Sequence, residues 1–444
     1  MRVSERRKGR LMRIDVIGAG LAGCECAMQI ADRGFEVNLI EMKPLKKSPA
    51  HHSDGFAELV CSNSLKSNDV NTAGGLLKEE LRLLGSHVIE CADKTSVPAG
   101  GALAVDRDLF SKAVTDKVMS YKNIRVIHKI AEREEGDITV FATGPLTDEA
   151  LMGRVAELAR NEFLHFFDAA APIVAFDSID LSKTFTSSRY GKGSDDYINC
   201  PMNKEEFEAF WQALVSAETA HVKDFEENMV FEGCMPVEVM AKRGKDTIRF
   251  GPLKPVGLTD PATGKRPWAV LQLRKENNFN TMYNLVGFQT HLTFPEQRRV
   301  FRMIPALAEA EFVRYGVMHK NTYINSPDLL DKNFALKHNQ NIYFAGQISG
   351  VEGYVESIAS GLTAGISVAM RLSGRPVPDF SSATVIGALG RYVSSAESKY
   401  FQPMNANFGI LEGLGYDERD KQKKKSLLAA RSLDEIRRVY QSLK

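Results

Sequence analysis

Two cysteines stand where a thiol can be approached. Cys61 lies in "ELVCSNSLKS", followed by Ser62, Asn63 and Ser64, which could hydrogen-bond a thiolate or a ligand. Cys234 lies in "FEGCMPVE", between Gly233 and Pro236. Gly and Pro punctuate regular structure, so Cys234 reads as a loop or strand-end residue. A thiolate in such a place can add to an electron-poor carbon or exchange with another sulfur. Around Cys234, Lys242, Arg243 and Lys245 favour the thiolate, whereas Glu232 and Glu238 oppose it. Residues alone leave both cysteines open between a nucleophile and an inert thiol.

The other four cysteines, Cys24, Cys26, Cys91 and Cys200, read as small packing residues. No CxxC pair, HExxH motif or Cys/His cluster occurs, so no metal site is expected. His51 and His52 read as exposed loop residues. Scattered cysteines in a chain of this length point to reduced thiols and a cytoplasmic setting.

Those thiols need a scaffold, and "RIDVIGAGLAGCECAMQIADRGFEVNLIEMKP" from Arg13 to Pro44 provides its first element. A short apolar strand runs into GxGxxG, written by Gly18, Ala19, Gly20, Leu21, Ala22 and Gly23. A helix through Ala31 follows, then a strand ending in Glu41, eighteen residues after Gly23. Gly18 permits the tight turn, Gly20 lets backbone approach a diphosphate, and Gly23 lets helix and strand pack closely. The helix N-terminus favours phosphate charge, and Glu41 is placed to accept from ribose hydroxyls. The acid favours a ribose without a 2′-phosphate.

Two later segments favour FAD over NAD as the resident dinucleotide. "DITVFATGP" runs a buried strand into Ala142, Thr143 and Gly144. "NIYFAGQISGVEGYVESIASG" runs another into Gly346 and Gln347, then a glycine turn and a helix beginning near Gly353 and Tyr354. Both resemble later signatures of two-dinucleotide-type flavoproteins. The fold class is therefore α/β: a Rossmann-like FAD-binding domain of that type, with an inserted α+β domain. The expected divisions are 12–186 for the first FAD part, 187–324 for the insert, and 325–444 for the second FAD part with C-terminal helices. The basic start "MRVSERRKGRL" reads as a lead-in to structure beginning near Met12.

The 444 residues suit two or three domains, and 43% hydrophobic with 25% charged residues is ordinary for a globular chain. Formal net charge is +1, so a nucleic-acid surface must be a local patch. No apolar run reaches the ~18 residues of a membrane span, and none is expected.

Eight segments together resemble the folate- and FAD-dependent tRNA (uracil-5-)-methyltransferases, the TrmFO family. They are "PAHHSDGFAELVCSNSLKS", "VPAGGALAVDRDLFS", "FEGCMPVEVMA", "RFGPLKPVGL", "NLVGFQTHLTFPEQRRVFRMIP", "FVRYGVMHKNTYINSP", "FAGQISGVEGYVESIASG" and "FQPMNANFGIL". The likeness runs from about Met12 to about Leu414. Flavoproteins that modify wobble uridine share the first and third signatures and are the alternative. They are longer, and their extended C-terminal helical domain has no counterpart here.

The resemblance implies methylation of the T-loop uridine at C5. It implies 5,10-methylenetetrahydrofolate as donor, FAD as cofactor and NADPH or NADH as reductant. The partner implied is the tRNA T-arm. The family's two functional cysteines match Cys61 and Cys234, and its flavin-stacking tyrosine matches Tyr354. Uracil C5 is a poor nucleophile until a thiolate adds to C6, so one thiol is needed at the base. Cys234 is assigned to C6 and Cys61 to the one-carbon side beside the flavin, with the reverse open. Two rival readings are a flavoprotein thiol oxidoreductase and a non-enzymatic tRNA-binding factor. Phosphate contacts are sought among Arg243, Lys245, Arg249, Lys254, Arg266, Arg274 and Lys275, and among Lys421, Lys423, Lys424 and Lys425. Any one of these can equally be a solvated charge.

Overall fold

The computed structural model describes residues 6–7, 10–160, 163–191, 196–220 and 235–444. Its central sheet has six strands: β1 (Ile14–Ile17), β2 (Val37–Glu41), β3 (Ile124–His128), β4 (Ile138–Phe141), β5 (Ala335–Leu336) and β6 (Asn339–Phe344). Their spatial order is β5-β6-β4-β1-β2-β3. All neighbours are parallel except β5, which pairs antiparallel with β6. A parallel sheet needs cover on both faces, and the strand residues supply it with period two. Ile14, Val16, Leu39, Val140 and Tyr343 join the core under helix α1 (Leu21–Asp32). Ile17, Ile40, Phe141 and Phe344 face the opposite core, which includes Leu151 and Val155 of the helix Glu149–Leu158.

Helix α2 (Tyr354–Leu372) follows β6 and lies against α1. The approach is close because Gly361 and Gly365 face the backbone of Ala22 and Cys26. A Cβ on Gly365 would stand 2.7 Å from the Cys26 carbonyl oxygen.

A second six-stranded sheet is wholly antiparallel. In order it contains Phe185–Thr186, Tyr197–Met202, Ala269–Lys275, Met282–Leu285, Ile173–Ala175 and Phe312–Arg314. Two of its strands, Ile173–Ala175 and Phe185–Thr186, precede residue 187. The chain passes between the two sheets through a paired ladder, Phe163–Ala169 against Met318–Ile324. The helix Lys204–Val215 opens at Asn203, in a capping box closed by Glu206. Upstream of Met12, Arg6–Arg7 pairs with Arg10–Leu11, so regular pairing begins earlier than the lead-in reading placed it.

One carboxylate ties three helices together. Glu80, on the helix Ala73–Leu83, accepts from the backbone N–H of Val385 (2.7 Å) and Ile386 (2.8 Å), which open the helix Val385–Ser395. It also accepts from the Ser432 hydroxyl on the helix Lys421–Leu443. Burial outweighs these donors and pushes its pKa from 4.5 up to about 7. Folding therefore favours the protonated form. The stability from this group is full below 4.5 and is lost as pH rises through about 7. The thermal midpoint of the wild type should fall relative to Glu80→Gln between those pH values, and a pH-independent gap would contradict this.

Candidate active site and dinucleotide cleft

A cleft opens at the carboxyl ends of β1, β2, β4 and β6. Ligands of open α/β sheets bind at this edge. Its lining includes Gly18, Ala19, Gly20, Leu21 and Ala22 from the first signature, Glu41 from β2, Ala142, Thr143 and Gly144 after β4, and Gly346, Gln347 and Tyr354 after β6. Three signatures spread over more than three hundred residues thus meet in one place.

Gly23 and Gly353 act from outside the lining. A Cβ at Gly23 would overlap the Gly18 carbonyl oxygen, so this glycine sets how closely α1 packs on the turn. Gly353 is the residue before α2.

The cleft fits a dinucleotide. No side chain caps the first turn of α1, leaving its amide end free for an anion. A Cβ at Gly20 meets nothing within 4 Å, so the room a side chain would fill is open. The Glu41 carboxylate accepts from the N–H of Ala19 (2.7 Å) and of Lys43 (2.9 Å), which fixes it at the wall. Each of its oxygens keeps a second lone pair for a hydroxyl.

Cys61 sits at the end of this cleft that holds Tyr354. The Tyr354 hydroxyl accepts from the backbone N–H of Cys61 (2.8 Å) and Ser62 (3.1 Å). Burial pushes the phenol's pKa upward, so it stays protonated and keeps its own O–H to donate. The Cys61 thiol is partly exposed and lies 3.7 Å from the Ala169 carbonyl oxygen. The remaining described thiols differ. Burial pushes Cys24, Cys26 and Cys200 well up, and Cys91 up to about 11, so they are poor nucleophiles. Cys234 lies outside the described residues.

The Cys61 loop is gripped by side chains from distant parts of the chain. Arg107 donates to the carbonyls of Leu59 (2.6 Å) and Cys61 (3.4 Å) and pairs with Glu276 at 2.7 Å. Arg314 donates to the Val60 carbonyl at 2.9 Å. Arg274 donates to Asn63 Oδ1 (3.0 Å) and Ser62 Oγ (2.9 Å). Arg274 is buried in this seam, so it is not free to bind phosphate as its sequence context suggested.

Other basic candidates sit differently. Arg249 stacks over Trp268 at 4.0 Å and Lys245 pairs with Glu208 at 2.8 Å. Lys421, Lys424 and Lys425 are exposed at the start of the last helix, where Lys423 pairs with Glu418 at 2.9 Å.

Arg107, Glu276 and Arg314 escaped the reading of the sequence. Arg107 lies inside "VPAGGALAVDRDLFS", where resemblance was the only signal. His51, read as an exposed loop residue, lines the cleft, with Nδ1 2.6 Å from Ser48 Oγ. Among the described residues no group of His, Cys, Asp or Glu could hold a metal ion, and no helix is long and apolar enough to cross a membrane.

Residues 13–376 match the family described as Glucose inhibited division protein A. A protein of Acetivibrio thermocellus named "Methylenetetrahydrofolate--tRNA-(uracil-5-)-methyltransferase TrmFO" is 62% identical over 421 residues, covering 95% of this chain and 97% of its own. One of Bacillus licheniformis with the same name is 55% identical over 431 residues, covering 97% and 99%. Among solved structures, Aquifex aeolicus GidA in its form I crystal superposes with a TM-score of 0.69 at 15% identity, covering 98% of this chain and 76% of that one.

Proposed function

This chain belongs to the TrmFO family, and from that premise we propose how its own residues carry out the reaction. The protein is a methylenetetrahydrofolate–tRNA-(uracil-5-)-methyltransferase that binds FAD and converts the T-loop uridine of tRNA to ribothymidine. The observation that carries the catalytic reading is the partly exposed Cys61 held by the Tyr354 hydroxyl at the mouth of a dinucleotide cleft.

The amide end of α1 takes the diphosphate of FAD, and Glu41 takes its ribose hydroxyls. The helix α2 directs its positive end, and the ring of Tyr354, toward the flavin end. When bound and reduced, FAD supplies the two electrons that bring a methylene carbon to the methyl level. Cys234 adds to uracil C6, which makes C5 an enolate carbon able to attack the folate methylene. A proton then leaves C5, the methylene–nitrogen bond breaks with the folate nitrogen taking a proton, two-electron reduction brings the one-carbon unit to a methyl group, and the sulfur–C6 bond breaks to restore the ring. Cys61 does the acid–base work beside the one-carbon unit. Its backbone is fixed by Tyr354 and Arg107, so the thiol can act without the loop reorganising. NADPH or NADH renews the reduced cofactor, and the reaction takes place in the cytoplasm.

FAD-replete protein, an unmodified tRNA transcript, methylenetetrahydrofolate and NADPH or NADH should together yield ribothymidine by nucleoside analysis. Omitting the folate should remove the product. A complete mixture that oxidises the nicotinamide yet leaves every uridine unmethylated would overturn the reading.

A further inference from the structure

Away from the cleft, the inserted domain carries a column of three aromatic rings. Phe294 stacks on Tyr315 with centroids 4.7 Å apart and planes 15° apart. Tyr315 stacks on Phe312 at 5.4 Å and 9°. The inner end, Phe312, packs against the core of the insert. The outer ring, Phe294, is 50% exposed. An exposed ring at the end of a rigid stack offers one more stacking place, and any nucleobase has the π-face to take it.

Arginines flank the column on the helix Phe294–Phe301 and just beyond it. Arg298 donates to the Tyr315 hydroxyl at 3.2 and 2.7 Å, and Arg302 donates to the Ala310 carbonyl at 3.0 and 2.8 Å. Neither has a carboxylate partner among the described residues. Arg299 is paired with Glu296 at 2.6 Å. Phe294, Pro295, the three arginines and Tyr315 line one shallow cleft. Its charge is positive and its floor aromatic, the pairing that binds unpaired nucleotides.

The mount is firm. The buried Gln297 side chain donates to the carbonyls of Leu292 and Gly316 and accepts from the Gly316 N–H, each at 2.8 Å. The patch also adjoins the active site along the chain. Tyr315 directly follows Arg314, whose guanidinium holds the carbonyl of Val60, a residue of the cleft wall.

We propose that this patch is an RNA-docking surface: an unpaired base of the substrate stacks on Phe294 while Arg298 and Arg302 take the flanking phosphates. The inference rests on the tRNA reading above and adds the place where the RNA is held. Docked there, the RNA is anchored on a surface that leads along one chain segment to the Cys61 loop.

The test is fluorescence anisotropy of a labelled T-arm hairpin with FAD-loaded full-length protein across a salt series. Phe294→Ala should weaken binding about tenfold. Arg298→Gln should lower the slope of log K against log salt by about 0.7–0.9. Phe294→Trp should keep the affinity, and its indole fluorescence should be quenched on binding. Lys112→Gln, on the FAD domain, should bind as wild type. Flavin absorbance and thermal midpoint report that the variants are folded. Wild type that methylates the hairpin while both patch variants bind it with unchanged affinity and slope overturns the patch alone. Variants that alter sedimentation but not RNA affinity also overturn it, and make the surface a contact between copies of the chain. Wild type that neither binds nor methylates the hairpin overturns this proposal together with the function it rests on.

Discussion

Replacing Cys61 by serine should abolish ribothymidine formation while leaving the protein yellow. The two readouts separate because the thiol and the dinucleotide cradle use different atoms. The backbone N–H of Cys61 is held by Tyr354 and its carbonyl by Arg107, and serine keeps both contacts. Only the sulfur is lost. A hydroxyl of that size fits the same space, but its much higher pKa removes the acid–base function. Loss of a positioned acid or base costs roughly 10²–10⁴ in rate. Cys234→Ser should be equally inactive, for the different reason that no sulfur then adds to C6. Nucleoside analysis alongside flavin absorbance decides the matter. A Cys61→Ser protein with normal colour and at least a tenth of wild-type methylation would remove Cys61 from the mechanism.

Gly20→Val should give a folded protein that has lost its flavin. Replacement of a glycine is usually read through backbone strain, but Gly20 has φ −76° and ψ −170°, which any residue adopts. A Cβ there meets nothing within 4 Å, so the fold has no objection to it. The added methyl groups instead fill the room before the amide end of α1, where the diphosphate belongs. Overfilling a packed site costs about 1–3 kcal/mol, which corresponds to a roughly five- to 150-fold weaker hold on FAD. Purified protein should be pale, with a thermal midpoint equal to that of flavin-stripped wild type. A fully yellow Gly20→Val protein would place the diphosphate elsewhere.

What could be read along the chain and what could not divide by sequence distance. The first signature is local: Gly18 to Glu41 form strand, turn, helix and strand within one stretch, and each residue's role follows from its neighbours. The second and third signatures were legible for the same reason, and the cleft unites them. The Cys61 environment is the opposite case. Arg107, Arg274 and Arg314 reach the loop from 46 to 254 residues away. Nothing in "ELVCSNSLKS" announces them. Arg274 shows the resulting error: a basic residue in a polar stretch looks like a phosphate contact until its burial is seen. His51 shows the reverse error, since a polar loop can still form a wall of a cleft.

The order of strands in the central sheet has a consequence for the chain as it leaves the ribosome. The outer edge of β4 (Ile138–Phe141) is covered by β6 (Asn339–Phe344), which is made roughly two hundred residues later. At ~5–20 residues per second that edge waits about 10–40 seconds for its partner. An unpaired hydrophobic edge is a template for wrong pairing, so this interval is when the nascent protein is most exposed to aggregation. The insert that forms the antiparallel sheet, flanked by the paired strands Phe163–Ala169 and Met318–Ile324, is synthesised within it. Folding of the insert brings those two strands side by side, which shortens the path β6 must travel to close the sheet.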